Sequence, residues 1–227
     1  MQLEKIEFET GPKPQAAVIW LHGLGADGND FAPIVPELDL DHDSIGHIRF
    51  IFPHAPMIPV TINGGYVMRA WYDILGTDLA RREDEAGLRK SEQLIRGLID
   101  AELARGISAD RVVLAGFSQG CAMTLMTGLR YPKRLAALLA LSGYLPMAAS
   151  LAQERHLSNA DVPIFMAHGR QDPMISLARA AASRDALQGA GYSVSWHEYA
   201  MPHSVCPEEI ADIASVLQQV LALESSG

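Results

Sequence analysis

Ser118 lies in Gly116-Phe117-Ser118-Gln119-Gly120, with a glycine two residues away on either side and the apolar run Val112-Val113-Leu114-Ala115 just before it. A strand that turns sharply into a helix at such a sequence holds its serine hydroxyl out above a sheet. Side chains at the two flanking positions would collide with neighbouring backbone, hence the glycines. The helix that follows points its N-terminal amides at the same spot, where developing negative charge is stabilised. The chemistry indicated is attack by an activated hydroxyl, which needs a base and an acid to orient that base.

On this kind of turn the partners follow in the order serine, acid, histidine. Three histidines come after the next strand: His168, His197 and His203. His197 sits in an alternating segment beside Trp196 and Glu198 and reads as solvent-facing or locally packed. His168 closes a strand and precedes any suitable acid. His203, in Met201-Pro202-His203-Ser204 between the last strand and the last helix, is the expected base. Asp172 follows the preceding strand in His168-Gly169-Arg170-Gln171-Asp172-Pro173 and is the expected acid; Asp161 precedes that strand and Asp185 falls in a helical stretch. Two backbone N–H groups are needed for the oxyanion. One belongs to Gln119, and the other to the loop His22-Gly23-Leu24-Gly25-Ala26-Asp27-Gly28 after the strand Ala16–Leu21.

These residues need elements to place them. Near-continuous apolar runs at 16–21, 48–52, 112–115, 136–141 and 162–167 read as strands of a parallel sheet covered on both faces. The segment 194–199 alternates and reads as an edge strand. Helices are expected over 84–104, with a one-sided stripe through Leu88, Leu94, Ile95, Leu98, Ile99 and Leu103, over 119–130, apolar nearly all round, and over 207–221, where Pro207 suits a helix start. Strand and helix alternate to the end without a linker, so one α/β domain over 1–227 is expected.

Composition narrows the function. Lys+Arg 18 against Asp+Glu 27 gives a net charge of −9, and no basic run exceeds Arg81-Arg82, which argues against a nucleic-acid partner. Hydrophobic residues at 48% supply a sizeable core, yet the longest apolar run, Leu135–Leu141, is too short to span a bilayer. Cys121 and Cys206 have no metal-type spacing and read as reduced thiols of a cytoplasmic protein. Gly23-Leu24-Gly25-Ala26-Asp27-Gly28 matches a dinucleotide fingerprint before a helical stretch at 29–38. The acidic residue such a site needs after the second strand is missing, Pro53-His54 standing there instead. Asp39-Leu40-Asp41-His42-Asp43 opens like a calcium loop but has Ser44 at the sixth position and Phe50 at the twelfth.

Taken together, Leu21-His22-Gly23-Leu24-Gly25-Ala26-Asp27-Gly28-Asn29-Asp30-Phe31, Arg69-Ala70-Trp71-Tyr72-Asp73-Ile74, the segment around Ser118, Leu141-Ser142-Gly143-Tyr144-Leu145-Pro146 and Tyr199-Ala200-Met201-Pro202-His203 resemble the small carboxylesterases, which include acyl-protein thioesterases and lysophospholipase-like enzymes. The resemblance implies a minimal α/β-hydrolase fold with helices on both faces and no large cap. It implies no cofactor and no metal, a triad of Ser118, Asp172 and His203, and oxyanion donors at the N–H groups of Leu24 and Gln119. The implied activity is hydrolysis of carboxylic esters of short to medium acyl chains, extending to acyl thioesters or lysophospholipids. The partner would be a small-molecule or acylated substrate, without stable membrane insertion, and the enzyme a monomer or homodimer. Cleavage of amides or peptides by the same triad, and a catalytically silent binding protein of this fold, are the alternatives.

The stretch 142–161 is too short for an independent cap, so an open site is expected. The long stretch His54–Leu75, with Met68, Trp71 and Ile74, is the expected acyl-chain wall. Cys121 stands where the family more often has glycine and reads as a small packing residue.

Overall fold

The structure is a computed structural model and describes residues 3–76 and 83–223; Arg81-Arg82 lies outside them. Among the described residues, nine strands and seven helices run in the order β1 (Lys5–Glu9), β2 (Ala16–Leu21), α1 (Ile34–Glu37), α2 (His42–Ile45), β3 (Ile48–Pro53), β4 (Met57–Val60), β5 (Tyr66–Arg69), α3 (Glu85–Ala104), β6 (Val112–Phe117), α4 (Gln119–Gly128), β7 (Ala137–Leu141), α5 (Leu151–Glu154), β8 (Ile164–Gly169), α6 (Leu177–Gly189), β9 (Val194–Tyr199) and α7 (Pro207–Val220). Seven strands form one sheet in the order β1-β3-β2-β6-β7-β8-β9. Every pairing in it is parallel except β1 with β3. The fold is an α/β-hydrolase fold with a mostly parallel sheet.

The apolar runs follow from burial on both faces. Side chains alternate across a strand. Along β2, Ala17, Ile19 and Leu21 therefore join a core under α3 and α4, while Ala16, Val18 and Trp20 join a second core against α7. The edges differ. β9 alternates as expected, and β1, with its last three residues exposed, is an antiparallel edge whose Lys-Ile-Glu-Phe-Glu run alternates too. Between β7 and β8 lie only short 3-10 turns and the single turn α5, so no cap covers the sheet there.

Two expectations are revised. The stretch at 29–38 is not a continuous helix but a 3-10 turn, Gly28–Asp30, and the single turn α1. The long loop before α3 contains a hairpin, β4 paired with β5, joined through a 3-10 turn and Gly64-Gly65. Both glycines have positive φ, 68° and 80°, which an L side chain tolerates poorly. The calcium-like segment is a helix start: the Asp41 carboxylate accepts from the Asp43 N–H and the Ser44 hydroxyl at the head of α2.

Candidate active site

Parallel strands end on one rim of the sheet, and the loops after β2, β6, β8 and β9 meet there. Ser118 follows β6 at φ 56° and ψ −114°, a conformation that needs outside support. The support is local. A Cβ on Gly116 would lie 2.3 Å from the Gly120 carbonyl oxygen, and one on Gly120 would lie 2.1 Å from that of Leu21. The turn closes only because both residues are glycine. The Ser118 N–H continues the ladder to Leu141 O at 2.8 Å.

The Ser118 hydroxyl donates to His203 Nε2 at 2.9 Å, and His203 Nδ1–H donates to Asp172 Oδ2 at 2.6 Å. The Asp172 side chain is fully buried. Its Oδ1 accepts from the N–H groups of Met174 at 2.8 Å and Ile175 at 2.9 Å, so the carboxylate is well supplied with donors despite its burial. The two loops are laced together. Arg170 N–H donates to Tyr199 O and Gln171 N–H to Met201 O. Gly169 packs so closely that a Cβ there would meet the Met201 and Pro202 carbonyls at 2.4 Å. Phe117 backs the His203 ring at 4.7 Å between centroids.

The Leu24 and Gln119 N–H groups both border the cleft, and neither donates to a protein acceptor among the described residues. Their loop is fixed by a neutral histidine. His22 Nδ1–H donates to Gly23 O at 2.7 Å, and its Nε2 accepts from the Ala55 N–H at 3.0 Å. Burial pushes the His22 pKa down to about 4, so the ring is uncharged around neutrality.

The cleft above these groups holds about 510 Å³. Ile74 lines it. Met68 and Trp71 do not, and this corrects the expected wall. Trp71 is 1% exposed: its indole N–H donates to His22 O at 3.0 Å and its carbonyl accepts from the Ser91 hydroxyl. Met68 is turned toward Asn63, whose amide donates to its sulfur. The walls are formed instead by Ile62, Tyr72, Tyr144, Met174 and Ile175. Cys121 is fully buried against Gly143, away from the cleft, and burial raises its thiol pKa far above the usual range.

Two residues acquire a place that their sequence context does not announce. The Gln119 side chain accepts from Trp71 N–H at 2.8 Å and donates to Tyr72 O at 2.7 Å, mimicking a strand partner. His168 lies behind the acid, donating to Ile175 O at 2.8 Å with its Nε2 3.4 Å from Asp172 Oδ2. The closing of a strand by His168 just before the Asp172 loop was the one available signal.

Comparison with known proteins agrees with this architecture. Residues 3–221 match the family model described as phospholipase/carboxylesterase. The chain is 39% identical over 230 residues to acyl-protein thioesterase 1 of Mycosarcoma maydis, covering 95% of each protein. Among solved structures it resembles Arabidopsis thaliana SOBER1 with a TM-score of 0.86 and 31% identity, over 91% of this chain and 99% of that one. It also resembles Zea mays acyl-protein thioesterase 2, with a TM-score of 0.84 and 28% identity over 96% and 99%. The sheet, the turn at Ser118 and these likenesses agree: the chain belongs to the phospholipase/carboxylesterase family of α/β-hydrolases and is a serine hydrolase of the carboxylesterase type.

Proposed function

We propose that the protein hydrolyses acyl esters and thioesters through an acyl-enzyme on Ser118, with His203 as general base and acid and Asp172 as its orienting carboxylate. The observation that carries this reading is the continuous Ser118–His203–Asp172 chain, at 2.9 Å and 2.6 Å, beside two N–H groups without protein acceptors. His203 takes the Ser118 proton as the oxygen attacks the acyl carbon. The tetrahedral oxyanion is held by the Leu24 and Gln119 amides. His203 passes the proton to the departing alcohol or thiol, then activates water for deacylation while Asp172 stabilises the imidazolium. The thioester half of the reading is supported by the likeness to proteins named acyl-protein thioesterases.

An open cleft without a cap suits bulky acylated substrates, and its apolar walls suit the acyl chain. Such walls separate neighbouring chain lengths by only about 1–3 kcal/mol per methylene. The shared seven-stranded sheet supports one catalytic domain. Two unpaired cysteines fit the reducing cytoplasm expected from the sequence, and no described helix is long and apolar enough to cross a membrane.

The test is a matrix of oxygen esters and thioesters of graded acyl length. Ser118→Ala is expected to lower kcat by on the order of 10⁶ with an unchanged melting temperature. Turnover retained above a few per cent in that variant overturns the role given to Ser118.

A further inference from the structure

The two flanks of the cleft differ in charge. On one flank, Tyr72 and Tyr144 join hydroxyl to hydroxyl at 2.9 Å, with Ile74 and Ile175 nearby in the lining. This flank is apolar at its surface, and the nearby Arg179 guanidinium is engaged on the Tyr144 ring, 3.6 Å from its centroid. The other flank leads from His203 to Phe117, at 4.7 Å between ring centroids, and from Phe117 to Phe31, at 5.5 Å. The residue before Phe31 is Asp30, an exposed carboxylate that lines the cleft. Among the described lining residues it is the only carboxylate, and none is lysine or arginine. Arg69, which leads out of the hairpin, is occupied with Ala55 O and Glu4.

In ester hydrolysis the histidine gives its proton to the departing oxygen or sulfur, so the leaving group lies on the histidine's side of the acyl carbon. Asp30 lines the cleft and precedes Phe31, whose ring reaches His203 through Phe117, which puts Asp30 toward that flank. Given the hydrolase reading above, on which this inference rests, we propose that Asp30 makes this flank a leaving-group subsite selective for charge. Esters and thioesters whose departing alcohol or thiol carries a positive group near the reacting bond are favoured, and those carrying an anionic group are disfavoured. Substrates of the favoured class include acyl groups next to basic side chains and acyl esters of quaternary ammonium alcohols. Asp30 does not move a proton; it acts through space on the bound leaving group, and the overall charge of −9 adds to the same bias.

The size of the effect follows from the setting. One carboxylate at a solvated rim shifts relative rates by about two- to three-fold per unit charge on the leaving group, so about five-fold between a cationic and an anionic ester, and salt weakens it. The experiment uses three esters of one short acyl chain. Their leaving alcohols are choline, its uncharged isostere 3,3-dimethylbutanol, and 2-hydroxyethanesulfonate. The readout is the ratio of kcat/KM for the cationic ester to that for the anionic one, measured in the parent enzyme, Asp30→Asn and Asp30→Lys, at low salt and at high salt.

The parent is expected to favour the cationic ester by about ten-fold or more at low salt, with the ratio shrinking at high salt. Asp30→Asn should bring the ratio down about five-fold, and Asp30→Lys should bring it below that of Asp30→Asn. A ratio common to all three proteins, with the neutral ester still turned over, overturns the subsite and leaves the hydrolase reading standing. A parent enzyme that cleaves none of the three esters overturns both. Because the ratio is internal to each protein, loss of general activity or stability in a variant does not mimic the effect.

Discussion

The oxyanion wall and the hairpin wall of the cleft are built in opposite ways. On the oxyanion side, the 22–24 loop is locked by the neutral His22 ring, by the Trp71 indole bonded to His22 O, and by the Gln119 amide paired with the Trp71 and Tyr72 backbone. Asp84 extends the brace: its carboxylate accepts from Asp73 N–H and from Gly87 N–H at the head of α3. On the other side, β4 and β5 form a two-stranded ribbon outside the main sheet that leaves Met57, Tyr66 and Val67 exposed, tied to the rest of the molecule by Gly25 N–H donating to Arg69 O and by Thr61 donating to Asp73. A wall held by buried, distant partners can fix two amides to the tolerance an oxyanion demands. The exposed faces of the ribbon can change sequence without disturbing them, since its link to the oxyanion loop is a backbone bond at Arg69 O. The contrast assigns geometry to one wall and substrate adaptation to the other.

Removing the Gln119 side chain tests the braced wall most severely. Gln119→Ala leaves the Trp71 N–H and the Tyr72 carbonyl buried without partners, a loss of about 2–4 kcal/mol. The misplaced Gln119 and Leu24 amides should lower kcat by on the order of 10². Urea unfolding and steady-state kinetics report the two effects; a fall in stability with kcat unchanged would detach the brace from catalysis.

His22 gives a smaller effect that depends on pH. Unfolded, the ring binds a proton below its ordinary pKa of 6.5, whereas folded it resists until about 4. The unfolded state therefore holds more protons between those values, and stability falls as pH drops through them, by up to about 3 kcal/mol. His22→Gln should flatten that part of the stability curve relative to the parent. Parallel curves from pH 7 to 4 would mean that the ring is not held neutral.

The ribbon should respond least. Tyr66 is 70% exposed and does not line the cleft. Tyr66→Ser should change stability by less than about 0.5 kcal/mol and turnover of a short ester by less than about two-fold. A larger loss on the short ester would erase the distinction between the walls.

The parts legible in the sequence were those written in contiguous residues. The glycines around Ser118 state a steric need in a single turn, and β2, β6, β7 and β8 announce double burial by their apolar runs. The loops that carry Ser118, Asp172 and His203 meet because parallel strands deliver them to one rim. Trp71 was misplaced because its partners, Gln119 and His22, are 48 and 49 residues away, and nothing local separates a strut from a wall. The β4–β5 hairpin did carry a local sign, Asn63-Gly64-Gly65 between short apolar runs, which reads as a turn when given that weight. β1 carried the alternation of an edge strand in Lys5-Ile6-Glu7-Phe8-Glu9, but so short a run, its last three residues exposed, buries too little to stand out.

The backbone at Ser118, with φ of 56°, suits glycine better than any residue bearing a side chain. Such strain costs about 1–3 kcal/mol, more than the roughly 0.5–1 kcal/mol that glycine's extra freedom gives to the unfolded chain. Putting glycine at that position should therefore yield a protein that outlasts its parent on heating while doing no chemistry. Selection for endurance alone would erase the hydroxyl.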